Sequence, residues 1–168
     1  EERLSGKGVT YCATCDAYFF RGKTVAVIGG GDSALEGTVI TAQVAKKVYL
    51  IHRRNEFRGQ PYWQKRVKEA ANIELVLERN VREILGDQRV TGLRLDKEHK
   101  GSTEIALDGV FVEIGHDPLV EIPKKLGCVI DDRGYLLVDE GMRTNVPGAL
   151  GAGDISSGSN HFAQFVTA

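Results

Sequence analysis

The chain predicts an α/β fold in which a parallel sheet with helices also carries an antiparallel meander. Three observations lead there. Short apolar runs rich in β-branched residues end on glycine, as in Thr24-Val25-Ala26-Val27-Ile28-Gly29 and Gly109-Val110-Phe111-Val112-Glu113-Ile114-Gly115. A segment with apolar residues near helical spacing separates the first of these runs from the next, Val48-Tyr49-Leu50-Ile51-His52. From 81 to 107 the pattern switches to short alternating stretches broken by Gly86-Asp87 and Lys100-Gly101.

Taken in order, the run at 24–29 is a buried strand, and Gly29-Gly30-Gly31 leads from it into Asp32-Ser33-Ala34-Leu35-Glu36. That is strand, tight turn and helix. Leu35, Val39, Ile40 and Val44 continue the helical pattern up to the strand at 48–52. The whole is a βαβ unit of about thirty residues, which implies parallel strands and a right-handed crossover. A helix at 62–71 and a strand at 73–77 follow, then the meander, of which Val90-Thr91-Gly92-Leu93-Arg94-Leu95 is the clearest stretch. The strand at 109–115 ends at His116-Asp117-Pro118, where regular structure breaks, and a domain boundary is expected near 114–118. Beyond it the texture changes to Pro and Gly punctuation, with one strand expected at 134–138 and a Gly151-Ala152-Gly153-Asp154 motif. The chain stops inside what reads as the start of a helix, so the second piece is expected to be incomplete.

Bulk properties narrow the function. With 22 basic and 23 acidic side chains, the formal charge of -1 provides no global field toward nucleic acid or an anionic membrane. No apolar run suits a membrane span, the start lacks the apolar stretch of a signal peptide, and the expected compartment is the cytoplasm.

Gly29-x-Gly31-x-x-Ala34 fits a dinucleotide fingerprint. The first glycine makes the tight turn, the second admits a pyrophosphate to the backbone, and the small third residue lets helix and strand approach. The helix N-terminus then offers free N–H groups to the phosphates. Within its βαβ unit the motif marks a Rossmann-like NAD(P)-binding domain, whose ribose reader belongs at the end of the second strand. An NAD site usually presents an acid there, but this chain has His52-Arg53-Arg54-Asn55-Glu56-Phe57-Arg58. Three guanidinium groups suit a 2′-phosphate, and NADP(H) is the expected ligand. The competing reading makes Arg53, Arg54 and Arg58 a solvated surface patch.

Cys12-Ala13-Thr14-Cys15-Asp16 admits three readings. A zinc site needs two further ligands, while Cys128 stands alone and the four histidines are scattered. A purely structural disulfide this short constrains little chain entropy. A dithiol that cycles uses the spacing directly, one thiolate attacking a substrate disulfide and the other resolving the mixed disulfide. Asp16 is then the acid/base candidate, with a turn or N-cap role as its alternative. Cys128, in an apolar stretch, reads as a small buried hydrophobe, and Tyr62 and Trp63 as cover for a helix face, with stacking on the nucleotide as their alternative.

These three segments together, with Ile114-Gly115-His116-Asp117-Pro118 and the Gly151 to Asp154 motif, resemble the low-molecular-weight thioredoxin reductases of bacteria and archaea over most of the chain. In that family an NADPH domain is inserted into an FAD domain. The resemblance implies a homodimeric flavoprotein that passes electrons from NADPH through FAD to the Cys12-Cys15 disulfide and on to thioredoxin or a thioredoxin-like protein. It implies that Asp16 is the proton donor, that Gly29, Gly30, Gly31, Asp32, Ser33, Ala34 and Glu36 line the dinucleotide, and that Arg53 and Arg54 after His52, with Arg58, hold the 2′-phosphate. It also places Gly115, Asp154, Ala163, Gln164 and Phe165 toward the flavin, with His116 a weaker candidate.

Residues 1–115 are accordingly expected to be the NADPH-binding and redox-disulfide domain, and 116–168 part of an FAD-binding domain. The departures are specific. No second G-x-G-x-x-G precedes Cys12, so the chain is expected to be part of a longer one; Ala163 stands where relatives commonly place arginine, and Gly37 where many carry a second glutamate. The arginine run separates the chain from related peroxiredoxin-reducing flavoproteins, and the cysteine pair from ferredoxin–NADP reductases. The alternative function is a nucleotide-binding module without turnover.

Overall fold

The structure, a computed structural model, describes residues 1–115 and 117–157. It divides into two compact units, with the boundary after Gly115. In chain order the first unit contains β1 (Val9–Thr10), α1 (Ala13–Asp16), β2 (Thr24–Ile28), α2 (Asp32–Ala42), β3 (Lys47–His52), α3 (Pro61–Glu69), β4 (Ile73–Leu77), β5 (Val81–Gly86), β6 (Val90–His99), β7 (Ser102–Ala106) and β8 (Gly109–Val112). Five strands form one sheet in the order β1-β8-β2-β3-β4, every neighbouring pair parallel. The other three form an antiparallel sheet, β5-β6-β7.

The strands of the parallel sheet are apolar on both faces because both are covered. Val25 and Val27 of β2, Val48 and Leu50 of β3 and Phe111 of β8 pack with Leu35 and Val39 of α2 and Val67 of α3. The alternate residues Ala26, Ile51, Val76, Val110 and Val112 pack with Ile84, Leu93, Leu95 and Ile105 of the meander. Helices thus cover one face and the meander covers the other. Phe111 is fully buried and meets Phe20 edge-on at 5.0 Å between ring centroids. Burying a side chain of that size contributes roughly 1.5–3 kcal/mol.

Element ends follow local chemistry. Pro61 supplies the fixed φ that suits the first turn of α3, and α2 starts where Gly31 adopts an extended N-cap conformation. Strand β8 stops at Val112, earlier than the apolar run; the Glu113 amide still donates to the Ile28 carbonyl, but the chain turns away by Gly115, which takes φ +103°.

In the second unit α4 (Glu121–Lys125) is short, and the strand expected at 134–138 is replaced by isolated bridges from Leu136 to Ile130 and Ser156. The cause is a turn: the Asp131 carboxylate accepts the Arg133 and Tyr135 amides around Gly134, whose φ is +91°. Cys128 is buried beside Thr144. Among the described residues no helix is long and apolar enough to cross a membrane.

Candidate active site at the carboxyl edge of the parallel sheet

Strand β2 has β3 on one side and β8 on the other, so the chain leaves its carboxyl end in one direction and returns from the opposite one. In open parallel sheets such a switch point opens a crevice outside the strand ends. The glycine loop sits there. Gly29 donates to the Ile51 carbonyl at 3.0 Å, and its φ is +151°. A Cβ on Gly29 would strike the Glu113 carbonyl and the Cβ of Ala34, while one on Gly30 would run into the His52 ring. The space over Gly31 is open. Ala34 is fully buried, whereas Ser33 and Glu36 are exposed on the first turns of α2.

The arginine segment is stitched to this loop by main-chain bonds. Gly30 accepts from the amides of Arg58 at 2.9 Å and Gly59 at 3.1 Å, and Asp32 accepts from the Gln60 amide at 2.7 Å. Arg53, Arg54 and Arg58 are exposed. His52 differs from the arginines that follow it. Only 7% exposed, its ring packs under Gly30 and stacks on Phe57, and Nε2 meets the Glu56 carbonyl at 3.2 Å. Burial lowers its pKa, with the three arginine charges adding to the effect. It is the floor on which both segments rest.

The cysteines emerge from the same edge, since β1 pairs with β8 and α1 follows it directly. Cys12 and Cys15 form a disulfide, with a Cα separation of 5.3 Å. Cys12 caps α1, its Sγ accepting from the Cys15 amide at 3.1 Å. Asp16 holds the N-cap position of the 3-10 turn Ala17–Phe20 that follows, but its side chain makes no capping hydrogen bond there. Its carboxylate accepts from the Thr10 hydroxyl, whose oxygen in turn accepts from the Cys12 amide at 3.3 Å, closing a clasp around the cysteine turn. Among the described residues no cluster of three His, Cys, Asp or Glu side chains suited to a metal ion occurs.

Three features of the site are absent from the sequence reading. Thr10 is the hinge of the clasp. Glu113, half-buried at the end of β8, accepts the Ala13 amide at 3.2 Å. Tyr18 and Phe19, 66% and 73% exposed, form an aromatic surface immediately after the disulfide turn. The last left a signal, because two large apolar side chains beside a C-x-x-C pair are easily taken for core and prove to face solvent. Gly115 is exposed at the end of the first unit, and Asp154 is exposed in a single turn at Gly153–Ile155. Ala163, Gln164, Phe165 and His116 lie outside the described residues.

A Rossmann-like unit with a disulfide at the same sheet edge defines a pyridine-nucleotide-linked disulfide oxidoreductase. The chain belongs to the pyridine nucleotide-disulphide oxidoreductase family, whose model matches residues 1–168. Within it, the chain is 43% identical to the thioredoxin reductase of Listeria monocytogenes over 170 aligned positions, covering 100% of this chain and 52% of that protein. The crystal structure of Lactococcus lactis thioredoxin reductase superposes with a TM-score of 0.84 at 35% identity, covering 95% of this chain and 53% of the other. The crystal structure of T. acidophilum thioredoxin reductase superposes with a TM-score of 0.83 at 37% identity, with 95% of this chain and 53% of the other covered. The chain therefore spans about half the length of the relatives it matches.

Proposed function

We propose that the chain is the nucleotide-binding and disulfide-bearing part of a flavoprotein that reduces thioredoxin or a thioredoxin-like protein at the expense of NADPH. The observation that carries the proposal is the meeting, at one sheet edge, of a phosphate-suited glycine loop, three exposed guanidinium groups and a C-x-x-C disulfide. When bound, NADPH supplies two electrons and FAD the relay between nicotinamide and disulfide.

The roles of this chain's residues follow from their chemistry. The open space over Gly31 and the first turn of α2 suit a pyrophosphate, which the N–H groups of a helix start attract. Arg53, Arg54 and Arg58 suit the 2′-phosphate because guanidinium donates in a fork that matches phosphate oxygens. Glu36, exposed on the same helix, is within the candidate nucleotide surface. For the flavin, Gly115 and Asp154 remain the candidates among the described residues. In the disulfide turn, the Thr10 hydroxyl accepts from the Cys12 amide and donates to the Asp16 carboxylate, and Asp16 is the proposed proton donor when the sulfurs are reduced. Exposed Tyr18 and Phe19 offer a partner protein an aromatic contact next to the reactive pair.

The test is electron transfer without the flavin. The chain is reduced with dithiothreitol, freed of it, and mixed with oxidised thioredoxin. Transfer of two electrons per chain is expected, and Cys15→Ser should abolish it. Transfer that survives in Cys15→Ser overturns the assignment, as does failure of the unaltered pair to exchange.

A further inference from the structure

Glu113 is not used by the proposed chemistry, yet it reaches both halves of the site. Its backbone amide donates to the Ile28 carbonyl at the mouth of the glycine loop, and its carboxylate accepts the amide of the peptide bond that joins Cys12 to Ala13. Gly37 makes room for this arrangement. A Cβ there would press on the Cβ of Ala13 at 2.8 Å and lie 3.6 Å from Glu113 Oε1, so the missing side chain lets α1 and α2 approach with the carboxylate beside them.

We propose that Glu113 is a positioning residue for the disulfide: its carboxylate fixes the first turn of α1 and, by its charge, sets the protonation of the two thiols once the pair is opened. The inference rests on the reductase reading only in requiring that the pair cycles. Two electrons from a dithiol break the Cys12–Cys15 bond and the dithiol closes to its own disulfide. Its two protons distribute over the two sulfurs and the Glu113 carboxylate. A carboxylate one peptide bond from Cys12 disfavours a thiolate there, because like charges in a partly buried setting repel.

The surroundings of Glu113 raise its pKa on balance. Burial pushes the Glu113 carboxyl up, the Ala13 amide draws it down, and the negative charge of Glu36 on α2 pushes it up again. Asp16, the acid on α1, accepts from the Thr10 hydroxyl. No basic side chain bonds to Glu113 among the described residues, so its charge acts on the thiols without a local counterion.

The experiment is the rate of iodoacetamide alkylation of the dithiothreitol-reduced chain as a function of pH. Glu113→Gln keeps an oxygen that can accept the Ala13 amide but removes the charge, and should move the onset of thiolate reactivity down by about one pH unit, roughly a tenfold faster reaction below the unaltered chain's midpoint. Glu113→Asp restores the charge and should return the profile toward that of the unaltered chain. A Glu113→Gln profile that coincides with the unaltered one overturns the inference and leaves the reductase reading standing. A pair that dithiothreitol does not open overturns both. Glu36→Gln, on the helix surface, gives an independent check: a smaller downward shift is expected, and an upward shift contradicts the electrostatic account.

Discussion

Arginine is used in opposite ways at two places in the first unit. On the meander, Arg94 of β6 lies between Glu83 of β5, at 2.6 Å, and Glu104 of β7, at 2.9 Å, so its charge is answered from both neighbouring strands. At the carboxyl edge of the parallel sheet, Arg53, Arg54 and Arg58 are exposed, and their side chains have no carboxylate partner among the described residues. The pleat explains the first case, because antiparallel register brings Arg94 opposite both Glu83 and Glu104. In the second, main-chain bonds to Gly30 hold the segment while the guanidinium groups stay available. The lesson is that charge type says little until its partners are known.

The comparison breaks or sharpens in a graded series of variants. The largest effect is expected for the double variant Arg53→Ala/Arg54→Ala. Hydrogen bonds to charged groups contribute about 1.5–3 kcal/mol each, so NADPH affinity should fall by about a hundredfold or more while NADH affinity changes little. Calorimetric titration with both nucleotides reads this directly, and an equal loss for the two would mean that the arginines serve the fold.

Next comes Glu74 of β4, which holds Lys47 of β3 at 2.9 Å and His99 and Lys100 of the meander turn at 2.6 and 2.8 Å. Burial opposes its ionisation, but the hydrogen bonds from Lys100, Lys47 and His99 outweigh that and hold its pKa at about 2 against an ordinary 4.5. A depressed carboxylate stabilises the fold above the unfolded value, so this contribution is present above pH 4.5 and lost as pH falls toward about 2. Glu74→Gln should cost roughly 1–3 kcal/mol at neutral pH and flatten the acid limb of urea unfolding measured at a series of pH values. An acid limb unchanged in the variant would assign the acid sensitivity to other carboxylates.

The smallest effect belongs to Arg94→Ala. An exposed ion pair contributes at most about 1 kcal/mol, and salt reduces it, so a shift of a few degrees in Tm that shrinks in high salt is expected. Nucleotide affinity should not move. If it does, the meander reaches the site and the contrast between the two sets of arginines fails.

Much of the first unit was legible before any coordinates. The βαβ unit at 24–52, the helix near 62–71, the strand at 73–77 and the alternating meander all occur, because each is encoded by periodicity and turn residues within a short window. The strand expected at 134–138 failed for a local reason as well, since an aspartate three residues before Gly134 captures amides that a strand would need. Thr10 and Glu113 could not be found this way. Thr10 matters only because α1 turns Asp16 back upon it, and Glu113 meets Ala13 across a sequence separation of 100.

Sequence alone determined the α/β class, the glycine loop with its arginine segment one βαβ unit later, and the cysteine pair, because each depends on residues close together along the chain. Tertiary structure decided that β8 enters between β1 and β2, that the meander covers one face of the sheet while helices cover the other, and that the disulfide shares an edge with the nucleotide loop. Those outcomes depend on which apolar faces find each other across long stretches of chain, and burial is non-directional: it rewards any well-packed pairing, and only the assembled core selects one.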